Sequence, residues 1–590
     1  MFKKCIKFVK GYWIYTVLCP LFIILDVAID VELLDITGGL VDVLYQMGES
    51  GDMSGVKSML IKMMLYTLTT LAIGVAANIC ATKASVGFST NARKAIFCHV
   101  QDFSFENINK FSSTSLITRV TRDINSIQTV FQALMISFIK GPIMVVIALV
   151  KALELCKGTN MYMVFVYSVP ALVAVLVVLA VIAVPLFKKL MEKTDRFNSV
   201  VRQNSNGIRV VKNFVREDYE REKFNTANDD ILKWNLKSQN MLLFLTPAIM
   251  IIMYACMGFA LWSGSMSIID NFYNPIDNFA LTPGKLTTLV GCIMSVLTSL
   301  MSVLMIFVSI IAAKASLTRV KEVLMDVPAV RDDEADETLT VEDGSIEFKN
   351  VSFRYSQKAL KPILENVSLK INSGETIGVI GGTGAGKSTL VQLISRLYDA
   401  ESGEVCVGGH NIKNYTMFNL REAVSMVLQQ NILFSGTIRE NIRWGKNDAT
   451  DEEVINACKM AQADGFINEF NDGYETVLGA GGVNVSGGQK QRLCIARALI
   501  KKPKILILDD STSAVDTETE AKIRQALKSD ELKQATKIII AQRITSVMDA
   551  DRIVIVENGR INAVGTHEEL LENNEIYKEI YQSQQEGVLA

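Results

Sequence analysis

The chain has 590 residues, a formal net charge of −2, ten cysteines and a mean hydropathy of +0.26. The balanced charge leaves no electrostatic footprint for nucleic acid, and the cysteines, with no C-x-x-C pair, exclude a zinc framework or disulfide scaffold. The length would give about four soluble domains, but the apolar residues concentrate before residue 315, in runs too long for a soluble core.

Residues 1–10 place Lys3, Lys7 and Lys10 on one helical face and Phe2, Ile6 and Val9 on the other. That pattern favours an interfacial helix on the cytoplasmic leaflet over a plain basic tail. Lys3, Lys4 and Lys7 also resemble a signal-peptide n-region, but no small-residue cleavage site follows. A membrane span needs about 20 mostly apolar residues, and six runs qualify, at about 11–33, 59–82, 132–156, 161–187, 241–263 and 286–313. Residues 83–130 carry six Lys and Arg and 188–240 carry twelve, whereas 44–56 and 264–284 carry none. By the positive-inside rule the two long loops and both termini are cytoplasmic, in an integral plasma (bacterial inner) membrane protein.

Asp26, Asp30, Glu32 and Asp35 decorate the outer half of the first span. Charges at that depth face a cavity or mark function. An aqueous outer vestibule is the favoured reading, attraction of cationic substrates the other. Met294, Met301 and Met305 on the sixth span, among Ser295, Thr298, Ser299 and Ser302, and Met250, Met253 and Met257 on the fifth, fit either a lining for varied apolar ligands or ordinary helix packing. The cysteines in these runs, such as Cys80, Cys256 and Cys292, read as small hydrophobes.

Residues 326–343 carry Asp332, Asp333, Glu334, Asp336 and Glu337 and read as an acidic, solvated linker. Beyond it, Thr376 to Ile380 is a short apolar run, a buried strand. Gly381-Gly382-Thr383-Gly384-Ala385-Gly386-Lys387-Ser388 follows, matching G-x-x-x-x-G-K-[ST], and Thr389 opens a helical pattern. Strand, glycine loop and helix are the order a phosphate site requires. The loop's N–H groups curl around phosphate oxygens and the helix N-terminus adds partial positive charge. Lys387 supplies a point charge for the β- and γ-phosphates and Ser388 a hydroxyl ligand for Mg²⁺; Thr389 is a further candidate contact to the bound phosphates. Ile505 to Asp509 is a second buried strand, ending in a carboxylate placed to hold the Mg²⁺ shell.

Val485-Ser486-Gly487-Gly488-Gln489 resembles the signature sequence of the ATP-binding-cassette (ABC) family. Together with the phosphate loop about a hundred residues earlier, it makes the chain resemble an ABC exporter half-transporter over nearly its whole length. The implied fold is a membrane α-helical domain at 1–325, with six transmembrane helices and long cytoplasmic extensions. An α/β P-loop ATPase domain of the ABC type follows at 344–590. Arg93 to Phe131, including Leu116 to Asp123, and Gly207 to Glu217 resemble the family's two intracellular loops, each ending in a short coupling helix that docks on an ATPase domain. The resemblance implies that Tyr355, after Phe353-Arg354, stacks on adenine. It implies that Gln429, rather than Gln430, contacts Mg²⁺ and the coupling helices. It further implies that Ser486, Gly487, Gly488 and Gln489 reach an ATP held by another chain's loop, and that Asp516 belongs to the D-loop Ser513-Ala514-Val515-Asp516. The implied cofactors are ATP and Mg²⁺.

Two positions depart from the family. The glutamate that follows the Mg²⁺-holding aspartate and polarises water is here Asp510. The histidine that follows the next buried strand and contacts the γ-phosphate is here Gln542; His99, His410 and His567 lie elsewhere. Asp is one methylene shorter, so its carboxylate falls back by about 1.5 Å, and an amide neither carries imidazolium charge nor shuttles a proton. These catalytic positions, beside an intact phosphate loop, imply ATP bound well and hydrolysed poorly. A sound signature and an altered site in one sequence resemble the degenerate-site subunit of bacterial heterodimeric multidrug ABC exporters. The implied partners are a second half-transporter, a hydrophobic small molecule and membrane lipid. Ala480, where the family often has glutamate in its cross-linking loop, is a third departure. A homodimeric lipid or peptide exporter and an ATP-gated regulatory membrane protein are the alternatives. No large segment precedes the first span, so a leader-cleaving peptidase domain is not expected.

Overall fold

A computed structural model describes residues 7–50, 54–156, 162–273, 281–333, 335–356, 359–511 and 515–589. The chain divides into two compact units, one of residues 1–99 with 114–325 and one of residues 100–113 with 326–590.

Six long helices build the first unit among the described residues: Trp13–Ser50, Ser54–Gln101, Ile124–Leu155, Tyr162–Asn213, Glu217–Tyr273 and Pro283–Met325. Each contains or overlaps one of the six apolar runs. At 48 residues, Ser54–Gln101 is about 72 Å long, more than twice the ~30 Å hydrocarbon core, so much of it projects beyond the bilayer. Among the described residues, four segments are long and apolar enough to cross a membrane, at Gly55–Gln101, Ser113–Leu155, Met250–Ile269 and Pro283–Val303. The first helix is interrupted as an apolar run by Asp26, Asp30, Glu32 and Asp35.

Three of those acids are ion-paired, and Glu32 is exposed. Asp26 is buried, and Lys140 of the third long helix reaches it at 2.7 Å and Asp30 at 3.1 Å, while Lys151 reaches Asp35 at 2.9 Å. A charge withdrawn from water stays ionised only beside an opposite charge. The first and third helices are therefore joined by ion pairs. The first and sixth helices meet at a pair of glycines: a Cβ on Gly38 or on Gly284 would overlap the other's carbonyl oxygen. Small residues allow this backbone approach. Asp42 secures it, accepting from the Gly284 amide at 2.7 Å and the Thr282 hydroxyl at 2.7 Å at the positive end of the sixth helix. Met253, Met294 and Met301 pack into or against the membrane core, whereas Met250 and Met305 are exposed.

The proposed N-terminal amphipathic helix lies mostly outside the described residues. Of it, Phe8 sets its ring edge against Phe88, and the Asn91 amide donates to the carbonyls of Phe8 and Lys10. The first of the two long basic loops contains a single π-turn, Arg119–Asp123. Asp123, 1 % exposed at its side chain, there accepts from Arg319 and from Ser316 at 2.9 Å. In the second loop, residues 207–217 form no separate short helix. The helix ends at Asn213, Val215 takes φ +50°, and Glu217 starts the next, leaving Phe214 and Val215 73 % and 80 % exposed.

The ATPase unit is built on two larger sheets and a two-stranded antiparallel ribbon of β7 (Gly436–Thr437) and β8 (Val477–Leu478). Strands β1 (Ile346–Phe353), β2 (Leu364–Ile371), β4 (Ser402–Val407) and β5 (His410–Asn411) form an antiparallel sheet in the order β2-β1-β4-β5. Strands β3 (Thr376–Ile380), β6 (Val424–Val427), β9 (Ile505–Asp509), β10 (Thr536–Ile540), β11 (Arg552–Glu557) and β12 (Arg560–Gly565) form the other, ordered β12-β11-β3-β10-β9-β6. It is parallel apart from its edge strand β12. Ile505, Ile507, Ile538 and Ile540 face one hydrophobic core, and Leu506, Leu508 and Ile539 face another. Near-continuous apolar strands are what a sheet covered on both sides requires.

Residues 326–343 are not a loose tether. Val330 and Val341 are buried, the Arg331 carbonyl accepts from Arg396 at 2.6 Å, and Asp332 accepts from the Met417 amide at 3.0 Å. The same unit holds the short helix Phe105–Phe111. Its Asn107 donates to Asp326 at 2.7 Å and to the Val327 carbonyl at 2.9 Å and accepts from the Ala329 amide at 3.0 Å.

Lys140→Met leaves buried Asp26 next to Asp30 without their counter-charge. Asp26 is buried but Lys140 is 38 % exposed, so the loss falls between the ~1 kcal/mol of a surface pair and the ~3 kcal/mol of a buried one, and the variant should melt below the parent in detergent. Adding Asp26→Asn should recover part of the loss. Equal melting temperatures for all three proteins would refute the pairing.

Candidate functional site

The glycine loop runs from the end of β3 to the helix Lys387–Ile394. It needs glycine for two physical reasons. A Cβ on Gly381 would overlap the Val556 carbonyl oxygen; Gly386, the N-cap, has φ +102°, and its Cβ would lie 2.8 Å from Leu364 Cδ2. Gly382, Thr383 and Gly384 are exposed at the crown, while Ala385 is buried beneath them. Lys387 Nζ donates to the carbonyls of Gly381 at 2.7 Å and Gly382 at 2.9 Å, which folds its charge over the loop. Burial holds the Lys387 ammonium below its ordinary value, against the pull of Asp509 and Asp510.

Asp509 ends β9 and is buried, and Ser388 Oγ donates to its Oδ1 at 2.9 Å. Burial, with Asp510 alongside, raises this carboxyl above the usual range; the Ser388 bond and Lys387 only partly offset that. A hydroxyl and a buried carboxylate at this separation, beside an anion cradle, would suit a hard divalent cation, which takes oxygen ligands. ATP and Mg²⁺ therefore fit the residues present, with Ser388 and Asp509 placed for the metal and the loop amides for phosphate.

Asp510 turns the chain at φ +49° as its amide donates to the Ile540 carbonyl at 3.0 Å. Its Oδ2 accepts from Gln542 Nε2 at 2.8 Å and from Gln429 Nε2 at 3.4 Å. The two departures from the family pattern and the glutamine after β6 thus converge on one carboxylate. Asp tolerates the left-handed region better than most residues, so the shorter acid suits this turn.

Tyr355 follows β1, and its hydroxyl is 2.9 Å from Thr389 Oγ1 and donates to Gln392 Oε1 at 3.1 Å. The half-exposed ring therefore stands beside the phosphate-loop helix, where an adenine would meet it. Sequence reasoning missed Tyr398. Its ring meets Tyr355 edge-on at 5.1 Å, and its hydroxyl accepts from Asn109 Nδ2, on the helix Phe105–Phe111, at 3.0 Å. Nothing in the local pattern marks it, because its partners lie 43 and 289 positions away.

Ser486 is the exposed N-cap of the helix Gly487–Leu499, with the capping box closed by Gln489: the Ser486 amide donates to Gln489 Oε1 at 2.9 Å. Gly487 and Gly488 form the first turn, so the helix presents uncapped N–H groups and its positive end at the surface. The structure does not bring Ser486, Gly487, Gly488 and Gln489 to this chain's own loop. Leu493, Cys494, Ile495 and Leu499 of the signature helix belong to the core on one face of the six-stranded sheet, and Leu390, Val391, Leu393 and Ile394 of the loop helix to the core on the other. Asp516 caps the helix Thr517–Leu527, accepting from the Thr519 amide at 2.9 Å, so its carboxylate serves the fold locally; Ser513 and Ala514 lie outside the described residues.

A nucleotide cradle joined to long apolar helices defines an ATP-driven membrane transporter. Residues 16–287 match the ABC transporter transmembrane region and 364–513 the ABC transporter domain. The ABC transporter ATP-binding protein YfiB of Bacillus subtilis is 35% identical over 521 residues, 88% of each chain, and the ATP-dependent lipid A-core flippase of Desulfotalea psychrophila is 32% identical over 83% of this chain and 84% of its own. The solved structure of a bacterial Atm1-family ABC exporter with ATP bound superposes with a TM-score of 0.82 at 25% identity, covering 97% of this chain and 98% of that one. The chain belongs to the ABC transporter family. It is an exporter half-transporter, a helical membrane domain fused to an ATPase domain.

Gly381→Ala forces a methyl into the Val556 carbonyl and should weaken binding of a fluorescent ATP analogue at least tenfold, about 1.4 kcal/mol, with the ATPase unit still folded by circular dichroism. Unchanged affinity would remove the loop from the site.

Proposed function

We propose that the chain is one subunit of a dimeric, ATP-driven exporter of hydrophobic compounds, and that the ATP on its own loop turns over slowly. The observation that carries this reading is the Asp510 carboxylate held by two amides, Gln542 and Gln429, where the family has a glutamate and an imidazole. Bound Mg²⁺ supplies charge neutralisation on the β- and γ-phosphates. Around it, Lys387 and the loop amides bind phosphate, Tyr355 orients the base, and Asp510 orients water without a proton-carrying neighbour. Ser486, with Gly487, Gly488 and Gln489, offers a helix N-terminus to the γ-phosphate of an ATP on the partner chain, since its own loop lies across the sheet. The partner in this reading is a different half-transporter with glutamate and histidine at the positions of Asp510 and Gln542. Both termini are cytoplasmic, in keeping with the basic loops at 83–130 and 188–240. The Tyr355–Tyr398–Asn109 chain gives base binding a route to the helix Phe105–Phe111, which lies within the stretch that resembles the first intracellular loop and would serve as its coupling helix.

A homodimeric lipid exporter is the second reading, favoured by the similarity to the lipid A-core flippase. ATP hydrolysis by the purified chain alone separates the two. Slow turnover that rises on co-expression with a partner supports the heterodimer, and robust turnover from the single chain supports the homodimer.

If the two departures set the rate, Asp510→Glu with Gln542→His should raise turnover of the purified chain at least tenfold, about 1.4 kcal/mol of barrier. An unchanged rate would place the limitation elsewhere. Within a heterodimer, Lys387→Ala should lower total ATPase only in part. Ser486→Ala should cost about a hundredfold or more, as for loss of a donor aimed at transition-state charge, with nucleotide occupancy largely kept. The reverse pattern would mean that the two sites are assigned the wrong way round.

A further inference from the structure

The helix Glu575–Leu589 buries Tyr577 completely and packs Ile576, Ile580 and Tyr581 against the core that holds Leu506, Leu508 and Ile539. Tyr577 is fixed further by His567 Nδ1, 2.7 Å from its hydroxyl. Positions 577, 580, 581 and 584 share one helical face, so the pattern calls for an apolar residue at 584. The residue there is Gln584. Its Nε2 donates to the Gln542 carbonyl at 2.9 Å, and its Oε1 accepts from the Ile544 amide at 2.9 Å.

These two bonds bracket Arg543 and grip the backbone just past the end of β10, from both sides of the turn that carries Gln542. The Gln542 side chain, in turn, reaches Asp510 at 2.8 Å. We infer that Gln584 is a positioning residue for the ATP site: it fixes the turn after β10 so that the Gln542 amide meets the Asp510 carboxylate. The C-terminal helix is thereby part of the site's supporting structure, because its rigid apolar face sets where Gln584 stands. This inference rests on the proposed role of Gln542 toward Asp510.

The test uses the full-length chain in lipid nanodiscs, with protein in excess over Mg²⁺ and γ-³²P-labelled ATP so that a single turnover is read. Gln584→Met keeps length and packing and removes both bonds. It should slow hydrolysis by about threefold to tenfold, less than the ~100-fold that a 1 Å misplacement can cost. Affinity for a fluorescent ATP analogue and the melting temperature should stay near the parent's. In a Gln542→Ala background, Gln584→Met should change nothing further, because the side chain it positions is gone. Gln584→Glu, which keeps the acceptor for the Ile544 amide but loses the donor to the Gln542 carbonyl, should also slow the reaction and serves if Met disturbs the helix. Parental rates for both Gln584 variants overturn the inference. So does an equal slowing by Gln584→Met with and without Gln542, which would mean that it acts through the fold at large. A parental rate for Gln542→Ala alone overturns the underlying reading of Asp510 and this inference with it.

Discussion

β3, β10 and β9 lie side by side and parallel, with Ile540 opposite Val379 on one side and Asp509 on the other. Parallel neighbours end at the same edge, so the loops that leave them emerge together. Gly381 follows β3, Asp510 follows β9, and Gln542 lies two residues past β10. The site is therefore assembled by strand order before any side chain makes a contact, as expected where ligands bind at the carboxyl ends of parallel strands. The antiparallel sheet adds Tyr355 at the end of β1, and the edge strand β6 delivers Gln429.

The same sheet also separates. With alternate residues of β9 and β10 facing different cores, every helix must cover one face or the other, and the loop helix and the signature helix cover opposite ones. An exposed helix N-terminus at Ser486 and a phosphate cradle at Lys387 then belong to different faces of one molecule. The proposed pairing of two ATPase domains is a consequence of this geometry, since a donor set aimed outward needs an acceptor brought from outside. In the membrane unit the same economy of burial acts on charge. Asp26, Asp30 and Asp35 lie in a helix otherwise apolar enough to sit in lipid, and Lys140 and Lys151 compensate them.

What was legible in the sequence was local. The order strand, glycine loop, helix around Lys387 is written within about twenty residues, and the signature Val485 to Gln489 within five. The six apolar runs marked the six long helices, because length and apolarity are properties of a single segment. Contacts between distant segments were not legible. Lys140 is 114 positions from Asp26, so the acids read as facing water until a counter-charge could be placed beside them. Asp332, Asp333, Asp336 and Glu337 are exposed, as a solvated linker requires, but the Met417 amide and the Arg396 guanidinium that engage Asp332 come from elsewhere in the fold. The turn at Val215 took the place of a separate short helix because one left-handed residue is enough to reverse the chain. No pattern announces that single residue.

The two departures at the ATP site make better physical sense as a pair than singly. Asp510 sits at φ +49°, a conformation that disfavours a longer acid more than a shorter one. Gln542, on the adjoining loop, closes the gap to it with a neutral donor at 2.8 Å. An imidazole in that place would face a carboxylate one methylene further back. A glutamate in place of Asp510 would extend toward the position the amide now occupies. The pair therefore forms a closed hydrogen-bonded unit, extended by Gln429 on one side and braced through the Gln542 backbone by Gln584 on the other. In the proposed reading, such a unit holds a nucleotide-bound conformation. Turnover in that reading is slow because neither amide can take up a proton from the attacking water, which leaves that task to the Asp510 carboxylate alone.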